Sequence, residues 1–359
     1  MEFREPIHLD GRVYSRVALM EYCSQSLSDP SLEQWKRNVL HFIAELLDPR
    51  VREFEQKTSG TTGDPKVHML KKEAMELSAR RTLQYFRLLP GDGALLCLPI
   101  QYVAGKMMVA RAMVGGLNLQ LVEPSGRPLK EWNDPVRFAA MVPLQVYESL
   151  EHGDSLTSIS TLLVGGGEIP AALRRMLERI SPTEIYESFA MTETYTHFAV
   201  RKIVKDKTES RFQLLPGTKI GLDARGCLVV DMPGITEEPV ITNDLVEISN
   251  EGNGFKWLGR YDHVIKSGGI KIIPELLEQK IGQQLGYDCL VIPEPDPRLG
   301  ARLVLVVECP EPAPPVAEWE NTFSKYLSKY EIPKRIVVLG KIPRNSSFKY
   351  DRNTAKALL

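Results

Sequence analysis

Apolar positions change spacing repeatedly along the chain, and each change marks an element. After Ser28-Asp29-Pro30, a cap and a proline start, Leu32, Trp35, Val39, Phe42, Ile43 and Leu46 recur at helical spacing up to Asp48-Pro49. This predicts a core-packing helix. Residues 71–89 predict another, with Met75, Ala79, Thr82, Phe86 and Leu89 on one side and Pro90-Gly91-Asp92-Gly93 ending it. The unbroken run Ala94-Leu95-Leu96-Cys97-Leu98 reads as a buried parallel strand. The alternation continues with a helix near 105–114 and a strand over 118–122. A strand over 160–164, a helix over 171–180 and a strand over 184–188 follow. Strands alternating with helices predict the α/β class with largely parallel sheets. From about residue 213 the texture changes. Short segments with glycine turns, such as Gly226-Cys227-Leu228-Val229-Val230, predict hairpins in a small β subdomain. β/α character then resumes after Gly259-Arg260-Tyr261-Asp262, with Pro310 to Pro315 a loop inside that last portion. The expected organisation is a large N-terminal α/β domain over 1–261, with parallel sheets and a small β subdomain, and a small α+β C-terminal domain over 262–359.

Composition narrows the function. The chain has 359 residues, is 43% hydrophobic and 25% charged, and carries a formal net charge of −1. A near-zero charge argues against a general nucleic-acid or membrane-surface binder. The five cysteines (Cys23, Cys97, Cys227, Cys289 and Cys309) form no CxxC pair, so free thiols in a reducing cytoplasm are expected. Met1-Glu2-Phe3-Arg4-Glu5 is charged where a signal peptide needs apolar residues. No apolar run reaches the roughly 18 residues of a membrane helix.

The stretch with the clearest chemistry is Thr58-Ser59-Gly60-Thr61-Thr62-Gly63-Asp64-Pro65-Lys66. Small hydroxyl residues and glycines let backbone N–H groups line a concavity that suits phosphate oxygens. Lys66 adds a mobile positive charge at its rim. Two residues separate Gly60 from Gly63, and Val67 follows Lys66, so the stretch is not a Walker A loop. On residue types alone, a phosphate loop and a solvated surface loop both remain open.

The stretch resembles the phosphate-binding signature of the adenylate-forming superfamily, which includes acyl-CoA synthetases, luciferases and peptide-synthetase adenylation domains. Five further segments extend the resemblance to residue 352. Ser188-Phe189-Ala190-Met191-Thr192-Glu193 resembles the superfamily's Tyr-Gly-x-Thr-Glu motif. That resemblance implies that Phe189 packs on adenine, that Thr192 donates to phosphate, that Glu193 binds Mg²⁺, and that Ala190 lies by the acyl pocket. By residue type alone, Glu193 could equally cap a helix. Gly165-Gly166-Gly167-Glu168 resembles the turn beside adenine; by itself it is also a plain strand-to-helix turn. Thr242-Asn243-Asp244 resembles the Thr-Gly-Asp motif whose Asp accepts from both ribose hydroxyls, a role a carboxylate's two oxygens suit. In isolation Asp244 reads as a turn residue. In Gly259-Arg260-Tyr261-Asp262 the resemblance puts Arg260 on the ribose and phosphate side and makes Asp262 the hinge of a C-terminal lid. Lys266-Ser267-Gly268-Gly269 would line the CoA pantetheine passage after rotation, with Pro274-Glu275 and Glu278 completing the match. Pro343 to Arg352 resembles the terminal lysine motif, with Lys349 as the catalytic lysine and Phe348 in the glycine's place. The superfamily has a longer leading region, so a compact variant is expected.

The acid is suggested by Leu98 to Arg111. Arg111 stands among Met107, Met108, Val109 and Met113. A guanidinium there needs either a carboxylate or an escape to solvent. The stretch resembles the helix of o-succinylbenzoate–CoA ligases of menaquinone biosynthesis in which a basic residue serves the aromatic carboxylate of a dicarboxylic acid. Tyr102, in place of that family's His, and Val103 would line the same pocket. The resemblance implies an acid–thiol ligase using ATP, Mg²⁺ and CoA on an aromatic carboxylate, as a cytoplasmic monomer or homodimer with no nucleic-acid or membrane partner. Another aryl or arylacetate–CoA ligase, a carrier-loading adenylation enzyme and a degenerate nucleotide-binding protein are the alternatives.

Overall fold

The computed structural model describes residues 3–57, 67–204, 211–309, 315–345 and 350–359; the side chain of Thr192 is not among the described groups. Two compact units form. One comprises Met1–Gly167, Leu177–Ile220 and Val230–Val240, the other Glu168–Met176, Gly221–Val229 and Ile241–Leu359.

The first unit is organised by a parallel sheet. Its strands run, from one edge, Arg12–Tyr14, Ile7–Leu9, Asn118–Leu121, Gly93–Leu96, Val136–Met141, Ile159–Val164, Glu184–Ala190, His197–Lys202 and Phe212–Leu214. The central strands are parallel, with Leu95 beside Ala139, Ala139 beside Leu162 and Leu162 beside Ile185. Runs such as Gly-Ala-Leu-Leu and Ile-Ser-Thr-Leu-Leu-Val form such strands because both faces are covered, which removes the polar alternation of a half-exposed strand. The last two strands and the first, Arg12–Tyr14, pair antiparallel.

Helices Lys72–Phe86 and Val103–Gly115 pack together in this unit. The second is buried nearly all round, including Arg111. Its first turn is pressed onto the preceding segment: a Cβ at Gly105 would lie 2.4 Å from the Pro99 carbonyl oxygen, so only glycine fits. Helix Gln34–Leu47 begins with Glu33 as its N-cap, later than Ser28-Asp29-Pro30. It buries the expected Val39, Phe42, Ile43 and Leu46 and also Leu40 and Leu47, while Leu32 precedes it and Trp35 is half-buried.

The second unit contains the antiparallel pair Val240–Ile248 and Gly254–Arg260. It also contains the hairpin Ile265–Ser267/Ile270–Ile272 and the three-stranded sheet Cys289–Asp296, Gly300–Glu308 and Arg335–Leu339. Helices Pro274–Leu285 and Val316–Tyr326 contribute Leu277, Ile281, Trp319 and Phe323 to its core, with Val291, Leu303 and Leu305 from the sheet. The mixed α/β architecture agrees with the sequence expectation.

Candidate active site

In the first unit the motif segments converge through topology. Four neighbouring parallel strands end at Leu96, Met141, Val164 and Ala190. The segments that follow carry Tyr102 and Val103, Val142, Gly165-Gly166-Gly167 and Met191-Thr192-Glu193. Carboxyl ends of parallel strands are where open α/β sheets bind ligands. Gly165 and Ser188 are in direct apposition, since a Cβ at Gly165 would overlap the Ser188 hydroxyl at 2.0 Å. Gly166 has φ +81°, a backbone that only glycine adopts cheaply. Two separately recognised motifs are thus one surface.

Thr58–Lys66 lies outside the described residues, but its flanks are fixed. Strands Glu53–Lys57 and Val67–Lys71 pair antiparallel from Glu53 opposite Lys71 to Lys57 opposite Val67. The Lys106 ammonium donates to the Glu55 carbonyl at 2.8 Å and the Gln56 side-chain oxygen at 3.0 Å, and the Gln56 amide donates to the Gln101 carbonyl at 3.1 Å. The root of the loop is thereby tied to the start of the Arg111 helix. Tyr102 is the N-cap of that helix and is exposed, while Val103 is half-buried.

Phe189 is half-buried, and its ring meets Phe198 and Phe212 edge-on at 5.6 and 5.1 Å. Glu193 is exposed on the short 3₁₀ turn Thr192–Thr194. Thr194, fully buried, holds this turn by donating to the Thr196 carbonyl at 2.8 Å and accepting from the Met191 amide at 3.3 Å. The turn therefore does not need the Glu193 carboxylate as a cap. An exposed carboxylate is a group that could take part in holding Mg²⁺, which uses one or two carboxylates and completes its shell with phosphate and water. Among the described residues no group of three or more His, Cys, Asp or Glu could hold an ion by itself.

Arg111 does not escape to solvent. It is 3% exposed, and burial alone pulls its guanidinium down to about 10, so it remains charged near neutrality. Its Nη1 reaches the Met108 sulfur at 3.5 Å, its Nη2 reaches His197 Nδ1 at 3.4 Å, and its Nε has no hydrogen-bond partner among the described residues. It pairs with no carboxylate among the described residues.

In the second unit, Thr242-Asn243-Asp244 lies inside strand Val240–Ile248 rather than in a turn. The extended ladder supplies what a turn would have: Asp244 stands directly opposite Arg260 across it. The Trp257 indole donates to Asp244 Oδ1 at 2.9 Å. The Arg225 guanidinium donates to the Asn243 side-chain oxygen and the Thr242 carbonyl, each at 2.8 Å, with its face on the Tyr261 ring. Neither Trp257 nor Arg225 belongs to a motif legible in sequence; a lone Trp in a strand and an Arg in a turn carry no signal until the ladder pairs them with Asp244. Replacing Trp257 with phenylalanine keeps the packing but removes its indole donor from the carboxylate. Up to about tenfold weaker ATP binding is expected, as for a lost hydrogen bond to a charged group. Nucleotide titration of the purified variant measures it, and unchanged affinity would make Trp257 a packing residue only.

Arg260 and Asp262 form a two-pronged ion pair at 2.9 Å, which lowers the Asp262 carboxyl. Gly268 and Gly269 are the two turn residues of their hairpin, at φ +56° and +84°; two-residue hairpin turns favour glycine there. Ser267 is buried beside them and Lys266 is exposed. Arg352 makes two 2.7 Å bonds to Glu278, which joins the Pro274–Glu278 motif to the terminal one. Glu168 belongs to this unit, and its charge is felt by Tyr350 and Arg352. Lys349 lies outside the described residues.

The family model for AMP-binding enzymes matches residues 55–232. The chain is 26% identical over 316 residues to the probable 2-succinylbenzoate–CoA ligase of Mycobacterium tuberculosis, covering 82% of this chain and 81% of that protein. It is 32% identical to the acyl-CoA synthetase (AMP-forming)/AMP-acid ligase II-like protein of Dyadobacter fermentans, with a TM-score of 0.64 over 96% of this chain and 98% of that one. Escherichia coli MenE, solved with a bound analogue of OSB-AMS, shares the fold at a TM-score of 0.74 and 18% identity, over 98% of this chain and 95% of that one. Among the described residues no helix is long and apolar enough to cross a membrane. The chain belongs to the AMP-binding family of adenylate-forming enzymes, and within it is an acid–thiol ligase.

Proposed function

We propose that the chain activates o-succinylbenzoate as its acyl-adenylate and transfers the acyl group to CoA, a step of menaquinone biosynthesis. The observation that carries the choice of acid is Arg111, a buried guanidinium with no carboxylate partner among the described residues. Burying such a charge costs far more than an apolar side chain would unless a ligand pairs with it. The similarity to 2-succinylbenzoate–CoA ligases supports the same acid.

In this reading Thr58 to Lys66 cradle the polyphosphate and Gly165 to Gly167 with Phe189 take adenine. Asp244 and Arg260 take the ribose side. The acid's free carboxylate attacks the α-phosphate and pyrophosphate leaves. Lys349 meets the charge that builds on the phosphate oxygens, which is worth more in the transition state than in the ground state. Glu193 would hold Mg²⁺, which when bound supplies positive charge to the polyphosphate. A lid over 262–359, turning at Asp262, then exchanges Lys349 for the Ser267-Gly268-Gly269 face, where the CoA thiol reaches the adenylate.

Pyrophosphate release across a panel of aromatic and arylacetic acids, with and without CoA, tests the reading. The highest kcat/KM is expected with o-succinylbenzoate, and thioester only with CoA present. A different preferred acid, or adenylate that never passes to CoA, would overturn it. Glu193→Gln keeps the shape and removes the charge, so adenylation is expected to fall and the Mg²⁺ requirement to rise. A Mg²⁺ titration superimposable on the wild type would remove Glu193 from the metal.

A further inference from the structure

His197 is fully buried in the first unit on strand His197–Lys202, directly opposite Ala190 of strand Glu184–Ala190. Residues opposite each other in an antiparallel pair project to the same face. His197 therefore shares a face with the residue that the motif resemblance places by the acyl pocket.

Its hydrogen bonds fix its tautomer. An arginine can only donate, so Arg111 Nη2, 3.4 Å away, requires Nδ1 to be an acceptor. The Thr196 hydroxyl, itself accepting from Ser78 at 3.3 Å, is also 3.3 Å from Nδ1. The proton of the neutral ring then sits on Nε2. Burial and the neighbouring Arg111 charge both hold the ring neutral. Nε2 has no hydrogen-bond partner among the described residues, and neither has Arg111 Nε. Nε and Nη2 lie on one edge of the planar guanidinium, the edge that meets His197. Two adjacent buried residues thus each keep an unused N–H donor. Buried donors without partners are rare in native proteins, and a pair of them beside an uncompensated cation calls for an anion with two acceptor oxygens.

We propose that His197 is a specificity-determining residue: with Arg111 it forms a two-residue clamp, its Nε2–H donating to the second carboxylate of the acid substrate. This rests on the dicarboxylic substrate proposed above and adds to it a named donor. Arg111 supplies the charge. His197 supplies direction, because a neutral N–H rewards a carboxylate oxygen at one position and gives little to a diffuse negative charge.

The test compares two acids on the full chain: o-succinylbenzoate, and the same keto acid with hydrogen in place of the ring carboxylate. KM and kcat are measured for wild type, His197→Leu and His197→Gln. His197→Leu is expected to raise KM for the diacid about tenfold, the scale of one hydrogen bond to a charged group. Its kcat for the diacid, and both constants for the monoacid, should stay within about twofold. His197→Gln restores an N–H donor and is expected to recover part of the loss; it also serves if the leucine variant folds poorly. Equal effects on the two acids, or no KM change for the diacid in either variant, would overturn the assignment. A wild-type enzyme that prefers the diacid but ignores His197 changes removes only the clamp. A wild-type enzyme with no preference for the ring carboxylate removes both the clamp and the dicarboxylic reading.

Discussion

Lys349→Ala is expected to slow adenylate formation by about 10²-fold or more, the scale on which one preorganised electrostatic group acts. The same variant should still convert supplied acyl-adenylate and CoA to thioester. The described residues on either side are held: Arg344 and Tyr350 bridge, Asp351 caps helix Arg352–Ala357 through the Asn353 and Thr354 amides, and Arg352 grips Glu278. These contacts do not use Lys349, so the fold should survive its loss and a selective kinetic defect can be read as chemistry. Gly269→Leu is expected to do the reverse, sparing pyrophosphate exchange and impairing thioester formation. A Cβ at Gly269 meets nothing within 4 Å, so a leucine there would extend into open space that the proposal gives to pantetheine. Its φ of +84° makes any side chain strained, and Gly269→Ala is the control. Alanine carries the same strain without the bulk. Single-turnover measurements of each half-reaction separate the cases. Equal loss of both halves in both variants would mean one fixed site, and the alternating lid would have to be abandoned.

How much of this was legible in the chain depends on how local each signal is. Ala94 to Leu98 is a continuous apolar run and Leu162-Leu163-Val164 a short one, so their strands stand out. Strand Val136–Met141 is blurred by Arg137, whose guanidinium escapes to the Thr161 hydroxyl at 3.1 Å on the neighbouring strand, a partner no linear pattern reveals. Helix Arg16–Leu27 buries only Leu19 and Cys23 fully, so its periodicity is faint, although Ser15 caps it by accepting from Ala18. The motif segments are legible because glycines, hydroxyls and charges recur at fixed short spacing. Their companions are not. Trp257 acquires a role only when Asp244 and Arg260 are paired across a ladder. His197 acquires one only when a strand register sets it beside Ala190 and helix packing sets it against Arg111. Arg111 itself is visible as a charge in an apolar helix, but the choice between solvent and burial needed the fold.

That choice has a consequence for stability as well as for catalysis. Arg111→Met replaces a buried cation with an apolar side chain of similar length, in a helix that already packs Met107, Met108 and Met113. The free protein then no longer buries an uncompensated charge with an unpartnered Nε, and removing such a group is commonly neutral or stabilising. The thermal midpoint is therefore expected to be no lower than in the wild type. The diacid, by contrast, loses its charged partner, at a cost on the order of 2–5 kcal/mol, or at least about thirtyfold in KM. ATP binding, which uses other elements, should not change. Stability retained while affinity for one substrate collapses is the signature of a residue kept for function at the expense of the fold. Calorimetry of the unfolding transition and steady-state kinetics on the same preparation test both halves. A lower midpoint with unchanged KM would make Arg111 a structural cation, and the dicarboxylic acid would have to be replaced by another substrate.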